Sequence, residues 1–320
     1  MHFGDTTLST RTLALLLAGA GLTLSAAACT SGTTTPAATT TPSNTPSAAA
    51  TIPAAVTQVR LAADGEYPFQ VALLNLKADD DAGEPVGDDL ARLTCGGSLL
   101  DERHVLTAGH CFDVEAENPP DPLKDFQVVV GRTTLTSRQG QVRRITEVQV
   151  HPRYSTRPLR YDVAVLTLDQ PVTGITPVVL VPPGDTSLQH DGSLATFTGW
   201  GSLKPQRDGD AVELSFTDQM KQAGVPLLAD DACQSAYQRP TDHAAPDLQV
   251  SLCTSTADQI GHCNGDSGGP LFVTDEGRVV QLGVVSFSPG CGDPRYPSVY
   301  ARLSNSDIND FIREAAGSAG

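Results

Sequence analysis

The stretch "TCGGSLLDERHVLTAGHC", residues 94–111, contains two short apolar runs, "GGSLL" and "HVLTAG", with charged residues between them. Short runs of this kind, bounded by turn residues, are typical of β-strands. The second run leads directly into His110 and Cys111. The stretch therefore predicts two strands that are close in the chain, with a histidine placed just beyond the second.

The same texture continues over the rest of the chain from about Val56 onward. The further runs are "FQVALLNL", "FQVVVG", "ITEVQV", "VAVLTL", "LATFTGWG", "RVVQLGVVSF" and "SVYARL". Many short strands at close spacing, with no helical periodicity between them, indicate an all-β barrel or sandwich. One helix is predicted, at the C-terminus, where "NSDINDFIREAAG" offers Asn or Ser as a cap and places Ile308, Phe311 and Ile312 at helical spacing.

Composition limits the classes of partner. The chain has 320 residues, of which 39% are hydrophobic, so it is long enough for a substantial buried core. Its 37 acidic and 21 basic residues give a formal net charge of -16. Because nucleic acids and anionic lipid surfaces are negatively charged, we expect no nucleic-acid partner and no electrostatic binding to membranes.

The N-terminus has the pattern of an export signal over residues 1–29. Arg11 precedes the apolar run "LALLLAGAGLTLSAAAC", which is short and rich in small residues. Cys29 ends this run and is the expected site of a lipid anchor, the only membrane contact that we expect. The alternative is ordinary cleavage after Ala28 or nearby. Either way, we expect an extracellular protein, secreted or tethered to the outer face of the cell membrane.

A linker separates this signal from the predicted domain. Residues 30–55 are rich in Thr, Ser, Pro and Ala, with no charge and almost no large apolar side chain. Such a segment cannot bury enough surface to fold, so we expect a disordered linker or stalk. The predicted folded domain is residues 56–320.

The run "IGHCNGDSGGP", residues 260–270, places Ser267 between an aspartate and two glycines. A serine hydroxyl is a poor nucleophile until an imidazole takes its proton, and that imidazole needs a carboxylate to fix its tautomer. "VLTAGHC" supplies His110, and "YDVAVLTL" supplies Asp162 at the head of a predicted strand. The order along the chain is His, Asp, Ser.

Five motifs together carry a family resemblance. In order they are "TCGGSLLDERHVLTAGHC", "DVAVLTL", "TGWG", "NGDSGGPL" and "PSVYARL". Spread over about residues 56–316, they resemble the trypsin and chymotrypsin family of serine proteases. The resemblance implies two six-stranded antiparallel β-barrels with the active site between them. It also implies His110 as general base, Asp162 as its orienting partner, Ser267 as nucleophile, and the N–H groups of Gly265 and Ser267 as the oxyanion hole.

A binding protein that keeps the protease fold without its activity is the alternative. Such a protein would be expected to lack a member of the triad, and His110, Asp162 and Ser267 are all present. We therefore expect a serine endopeptidase whose partners are protein or peptide substrates.

The resemblance also implies a disulfide pattern. It pairs Cys95 with Cys111, Cys233 with Cys253, and Cys263 with Cys291, and it leaves Cys29 alone. A metal site is the competing explanation for the cysteines, but no Cys-x-x-Cys or His-x-x-x-His spacing supports it. We expect no metal and no cofactor.

Two charged loops leave alternatives open. The acidic loop of residues 77–92 could bind calcium, although a solvated loop is the simpler interpretation. Where the family often binds calcium through a glutamate after a glycine, this chain has Arg132 after Gly131, so we expect that site to be absent. Arg138, Arg143 and Arg144 make the same region basic, which could be a solvated face or a site for an anionic partner.

The resemblance raises a question about activation. Family members usually become active when cleavage frees an amino group that pairs with the aspartate before the serine, which here is Asp266. Val56 stands at the position of the new first residue, but "VTQV" replaces the usual pattern with two glycines. We predict cleavage before Val56 and burial of its amine against Asp266. A protease that is active without cleavage is the alternative.

Substrate choice should depend on the residue six positions before Ser267. In the resembled family this position is the base of the specificity pocket, where trypsin-like members carry an aspartate, and here it is Gly261. Without that charge a buried substrate cation would have no partner. Ser286 to Ser288 should form the edge strand that pairs with substrate, and Ser298 should shorten the pocket.

These positions predict cleavage after small or medium uncharged residues such as Ala, Val or Leu. One alternative is acidic specificity, with His262, Ser288 and Ser298 as donors to a substrate carboxylate. Another is basic specificity, if Asp293 or Asp258 folds into the pocket.

Overall fold

The structure is a computed structural model of the chain. It describes residues 58–78, 87–112, 121–211, 215–238 and 243–317. The predicted export signal, the linker, Cys29 and Val56 lie outside these residues. The domain boundaries and the lipid anchor therefore stay predictions.

Most of the regular secondary structure in the described residues is β-strand. In chain order the strands are β1 (Val59–Leu61), β2 (Gln70–Asn75), β3 (Leu93–Leu99), β4 (His104–Thr107), β5 (Phe126–Val130), β6 (Gln141–Val150), β7 (Ser155–Thr156), β8 (Leu159–Arg160), β9 (Ala164–Leu168), β10 (Val179–Leu180), β11 (Leu194–Gly199), β12 (Gln206–Arg207), β13 (Lys221–Leu228), β14 (Ser251–Thr254), β15 (Pro270–Asp275), β16 (Arg278–Phe287), β17 (Gly290–Cys291) and β18 (Ser298–Arg302).

The first ring of strands is a closed antiparallel barrel in the order β2-β3-β4-β9-β6-β5. Its register sets Leu73 opposite Cys95 and Leu106 opposite Val165. Closure pairs every strand on both sides, so no edge of this sheet is left open. The interior is filled by aliphatic side chains such as Leu73, Leu106 and Val128, which are fully buried.

The second ring runs β13-β11-β15-β16-β18-β14 and is closed by the pairing of Leu228 with Cys253. Phe197, Leu271 and Val284 are buried in it. Strand β1 adds to the outside of this barrel by pairing with β13, which sets Leu61 opposite Lys221. The prediction of two six-stranded antiparallel barrels is confirmed.

Two α-helices lie within the described residues, α1 (Asp230–Tyr237) and α2 (Ser306–Ala315). The C-terminal helix was predicted, and the side chain of Asn305 caps it by accepting a hydrogen bond from the N–H of Ile308. The expectation of a single helix was wrong, because α1 spans only eight residues and buries only Cys233 and Tyr237. So short an apolar stripe gives no clear period in the sequence. Neither helix is long and apolar enough to cross a membrane.

Candidate active site

The three residues of the predicted triad come from both barrels. His110 lies in a 3₁₀ turn, Gly109–Phe112, that follows β4, and Asp162 lies two residues before β9. Strands β4 and β9 both belong to the first barrel. Ser267 precedes β15 of the second barrel. Loops at the ends of strands thus bring the three side chains to the region where the barrels meet.

His110 and Asp162 are joined by two hydrogen bonds. Nδ1 of His110 lies 2.7 Å from Oδ2 of Asp162, and the backbone N–H of His110 donates to Oδ1 at 2.8 Å. Ser286 adds a third bond, because its hydroxyl donates to Oδ2 at 2.6 Å. With a proton on Nδ1 facing the carboxylate, the lone pair of the neutral imidazole is on Nε2.

The carboxyl group of Asp162 is only 2% exposed. Burial acts to raise its pKa, but the charge and hydrogen bonds of His110 and the hydroxyl of Ser286 outweigh burial and hold the pKa below its ordinary value. Asp162 is therefore ionised at neutral pH and can fix the imidazole and stabilise its protonated form.

Ser267 and His110 face one cleft, which Gly265 and Phe216 also line. Gly265 has a φ of +91°, and a Cβ at this position would come within 2.8 Å of Cε1 of Phe216. Only glycine fits both the left-handed backbone and the close approach of the ring. The carbonyl of Ser267 accepts a hydrogen bond at 2.6 Å from the N–H of Gly96, which ties the serine to the first barrel.

Asp266 has a partner that the sequence analysis did not identify. Its Oδ2 lies 2.8 Å from Nζ of Lys221, and the two side chains are 0% and 2% exposed. Lys221 begins β13, a strand that the sequence analysis missed because Gly224 and Pro226 interrupt its apolar run. The feature of the sequence that could have pointed to a buried cation is the single lysine within that run, "MKQAGVPLL". The predicted pairing of Asp266 with the amine of Val56 is untested, since Val56 lies outside the described residues.

A cavity of about 360 Å³ opens beside Ser267. Its lining includes His262, Ser286 and Ser288 of the predicted pocket residues. Strand β16 ends at Phe287, one residue earlier than the predicted edge strand, so Ser288 follows the strand. Gly261 and Ser298 are not among the lining residues and touch each other, since a Cβ at Gly261 would lie 2.7 Å from Oγ of Ser298.

Asp293 and Asp258, the two aspartates considered for a pocket that accepts basic substrate residues, do not line the cavity. Asp293 is bound by Arg295, whose Nε lies 3.0 Å from both carboxylate oxygens. Burial acts to raise the pKa of Asp293, but the hydrogen bonds from Arg295 outweigh it and lower the pKa to about 2. Asp258 is exposed and is not part of the cavity lining. Two other carboxylates, Asp208 and Asp210, do line the cavity.

His262 is buried, and its Nε2 lies 3.2 Å from the carbonyl oxygen of Val299. Burial lowers the pKa of His262 to about 4, so the ring is neutral at pH 7. Since the carbonyl can only accept, Nε2 carries the proton and Nδ1 carries a lone pair. In this state the ring has no second N–H to offer a substrate carboxylate.

Comparison with known proteins identifies the family. The trypsin family model matches residues 56–312. A protein named trypsin from Saccharopolyspora erythraea is 34% identical over 239 residues, which cover 74% of this chain and 88% of the relative. The chain belongs to the trypsin family. By family it is a hydrolase, a serine endopeptidase that acts on protein or peptide substrates.

Two longer relatives match over the same domain. Transmembrane protease serine 9 from Rattus norvegicus is 34% identical over 263 residues, or 79% of this chain. Clotting factor C from Tachypleus tridentatus is 30% identical over 243 residues, or 71% of this chain. The chain spans only 21% and 22% of these two relatives.

Three disulfides stabilise this trypsin-family domain. They join Cys95 to Cys111, Cys233 to Cys253 and Cys263 to Cys291, the pairs that the resemblance implied. Disulfides persist in oxidising surroundings, which fits an extracellular protein. The structure also groups His110 with Cys95 and Cys111 as potential metal ligands. Because these two sulfurs are bonded to each other, neither is a thiolate that could bind a metal.

The basic region of the trypsin-family domain is largely paired. Arg132 is 5% exposed, and its guanidinium donates to Asp89 at 2.6 Å and to the carbonyls of Leu135 and Gln139. A cation therefore occupies the loop where family members often bind calcium. Arg144 pairs with Asp169 at 3.2 Å. The acidic loop of residues 77–92 is described only in part, because residues 79–86 lie outside the described ranges.

Proposed function

We propose that the chain is an extracellular serine endopeptidase in which Ser267, His110 and Asp162 form the catalytic triad. The observation that carries the proposal is the buried carboxylate of Asp162, bound to Nδ1 of His110 in a cleft that Ser267 shares. Cleavage would follow small or medium uncharged residues.

The proposed chemistry proceeds through an acyl-enzyme. Oγ of Ser267 attacks the substrate carbonyl carbon while Nε2 of His110 takes the hydroxyl proton. The resulting oxyanion is stabilised by the backbone N–H groups of Gly265 and Ser267. His110 then gives its proton to the leaving amine, and a water molecule repeats the sequence to release the acid. Asp162 stays ionised throughout and stabilises the imidazolium.

The proposed substrate specificity depends on the residues in and around the cavity beside Ser267. Gly261, at the position expected to be the base of the specificity pocket, carries no charge, and the hydroxyl of Ser298 occupies the space beside it. The neutral, carbonyl-bound His262 argues against acidic specificity. Asp293 is paired with Arg295, which argues against a role for it in binding a substrate cation at the base of the pocket. Asp208 and Asp210 nevertheless make the wall of the cavity acidic.

A fluorophosphonate probe and matched peptides test this proposal. The probe should label the wild-type protein at Ser267 and leave Ser267→Ala unlabelled. Peptides that differ only before the scissile bond should be cleaved faster with Ala, Val or Leu than with Arg or Glu. Absence of labelling would favour a silent binding protein, and a preference for Arg or Glu would show that the pocket interpretation is wrong.

The location of the protein follows from the same proposal. Export by residues 1–29 would place the domain outside the cytoplasm, with Cys29 lipidated and residues 30–55 as a stalk. Mass spectrometry of the mature N-terminus should find a lipid on Cys29. An unmodified N-terminus after Ala28 would indicate a freely secreted protein instead.

A further inference from the structure

We infer that Lys221 replaces the amino terminus as the cation that orders Asp266, so the active site forms without cleavage before Val56. The inference rests on the proposed function of Ser267. It assigns Lys221 the role of a positioning residue, because it acts through Asp266 and does not itself touch the substrate.

Lys221 has every hydrogen bond that its ammonium group can make. Nζ lies 2.8 Å from Oδ2 of Asp266, and it donates to the carbonyls of Gly201 and Ser202, each at 2.9 Å. An ammonium group has three N–H donors, so all three have an acceptor. A buried ion pair is stable only when its remaining donors and acceptors are satisfied in this way.

Asp266 is equally well bound. Its carboxylate accepts from the N–H of Gly201 at 2.8 Å and from the N–H of Cys263 at 2.9 Å, in addition to the ammonium group. Its own N–H donates to the carbonyl of Cys263 at 2.9 Å. The carboxylate of Asp266 thus stabilises the turn from Cys263 to Asp266 and also binds the ammonium group of Lys221.

This turn contains the proposed oxyanion hole. Asp266 lies between Gly265 and Ser267, whose N–H groups would bind the oxyanion. A carboxylate without a cation would be driven out of the interior towards water, and the backbone on both sides of it would move as well. Lys221 therefore fixes the geometry on which the attack by Ser267 depends.

The structure leaves little room for a second cation at Asp266. A Cβ at Gly201 would lie 2.5 Å from Cγ of Asp266, which shows how closely the backbone encloses the carboxylate. The cavity next to Lys221 measures about 30 Å³ and is lined by Val59 and Lys221 among others, but not by Asp266. That volume holds about one water molecule, not an amino-terminal residue.

Strand β1, which precedes Lys221 and Asp266 in the chain, is docked on strand β13 in the uncleaved chain. Strand β1 is hydrogen-bonded to β13 in a register that sets Leu61 opposite Lys221. The uncleaved chain therefore has its first strand docked and its buried cation supplied from the neighbouring strand. An amino terminus that paired with Oδ2 of Asp266 would have to compete with Nζ of Lys221, which lies 2.8 Å from that oxygen.

Two forms of the secreted chain test whether cleavage matters. The first keeps residues 50–58 intact, as shown by N-terminal sequencing. In the second, residues 51–55 are replaced by the recognition sequence of a specific processing protease, so that cutting leaves Val56 as the first residue. We expect complete fluorophosphonate labelling of both forms and kcat values per labelled site that agree within about threefold.

A lysine variant tests the role of the pair. In the intact form, Lys221→Met should lower kcat per labelled site by about 100-fold or more, as expected for a disturbed oxyanion hole, with a smaller change in KM. Lys124→Met is the matched control, since Lys124 also pairs with an aspartate, Asp121, but on the surface. It should leave kcat unchanged.

The outcomes separate this inference from the proposed function. If neither form is labelled, the protease proposal fails. If only the cut form is labelled, the protease proposal stands and the inference about Lys221 is overturned. The inference also fails if Lys221→Met lowers only the number of labelled sites and leaves kcat per site unchanged, because Lys221 would then be merely structural. Should that variant not fold, the comparison of intact and cut chains still decides.

Discussion

The hydroxyl of Ser286, on strand β16 of the second barrel, lies 2.6 Å from Oδ2 of Asp162, which belongs to the first barrel. This bond crosses the junction between the two barrels and ends on the carboxylate that orients His110. The relative position of the barrels is therefore coupled to the orientation of the proposed general base.

Replacing Ser286 by Ala should lower kcat/KM by about 10- to 100-fold. A hydrogen bond to a charged group contributes about 1.5–3 kcal/mol, and without it Asp162 holds the imidazolium less well. The pKa of Asp162 should rise, because one of the interactions that lower it is lost. Kinetics with a good peptide substrate measure both the loss of activity and the acidic limb of the pH profile.

Ser98→Ala is the matched control for Ser286→Ala. Ser98 also donates a hydrogen bond between the barrels to a residue of β16, Gln281 at 2.7 Å, but away from Asp162. We expect it to reduce stability while leaving kcat/KM within about threefold of wild type. Equal losses of activity in the two variants would mean that Ser286 acts only through barrel packing.

The free energy of unfolding should decrease as the pH falls from about 6.5 to 4. Burial lowers the pKa of His262 to about 4, whereas an unfolded histidine titrates near 6.5. In this window the unfolded state binds a proton that the native state does not, so stability is lost on acidification, by about 3 kcal/mol from this residue.

Urea unfolding at pH 4.5 and 7 measures this effect in a Ser267→Ala background, which prevents self-digestion. His262→Gln should weaken the pH dependence because no histidine remains at 262 to titrate. His151 is a useful comparison, since burial also lowers its pKa. An unchanged pH dependence in His262→Gln would show that other groups account for it.

Ser298→Gly should shift cleavage towards larger residues. Removing the hydroxymethyl group beside Gly261, the residue expected at the base of the specificity pocket, should leave room for a larger substrate side chain, so the ratio of kcat/KM for Phe over Ala should rise about tenfold. Peptides that differ only at this residue measure the ratio. A ratio that stays at the wild-type value would mean that Ser298 does not limit the depth of the pocket.

Removing the disulfide between Cys95 and Cys111 should lower the free energy of unfolding by about 3 kcal/mol. The bond spans 16 residues and restricts the unfolded chain by an amount that depends on loop length. The double variant Cys95→Ala/Cys111→Ala in the Ser267→Ala background should unfold at a lower urea concentration. An unaltered midpoint would contradict the expected contribution of this loop.

The sequence predicted the strands that carry the motifs because their signals are local. The run "RVVQLGVVSF" corresponds residue for residue to β16, and the cap at Asn305 marks the start of α2. Strand β13 was missed because its pattern is interrupted by glycine and proline, and α1 because eight residues give too short a period. Such elements gain their stability from tertiary packing, which no local window contains.

The sequence by itself determined the family, the two-barrel fold and the order His, Asp, Ser, since each depends on motifs that can be recognised within a few residues. Only the tertiary structure decided the partner of Asp266. Lys221 is 45 residues away along the chain, and it reaches Asp266 because closure of the second barrel brings the start of β13 beside the turn that precedes β15. Electrostatic pairing in a buried site depends on distance in space and on desolvation, and neither quantity is set by the local sequence.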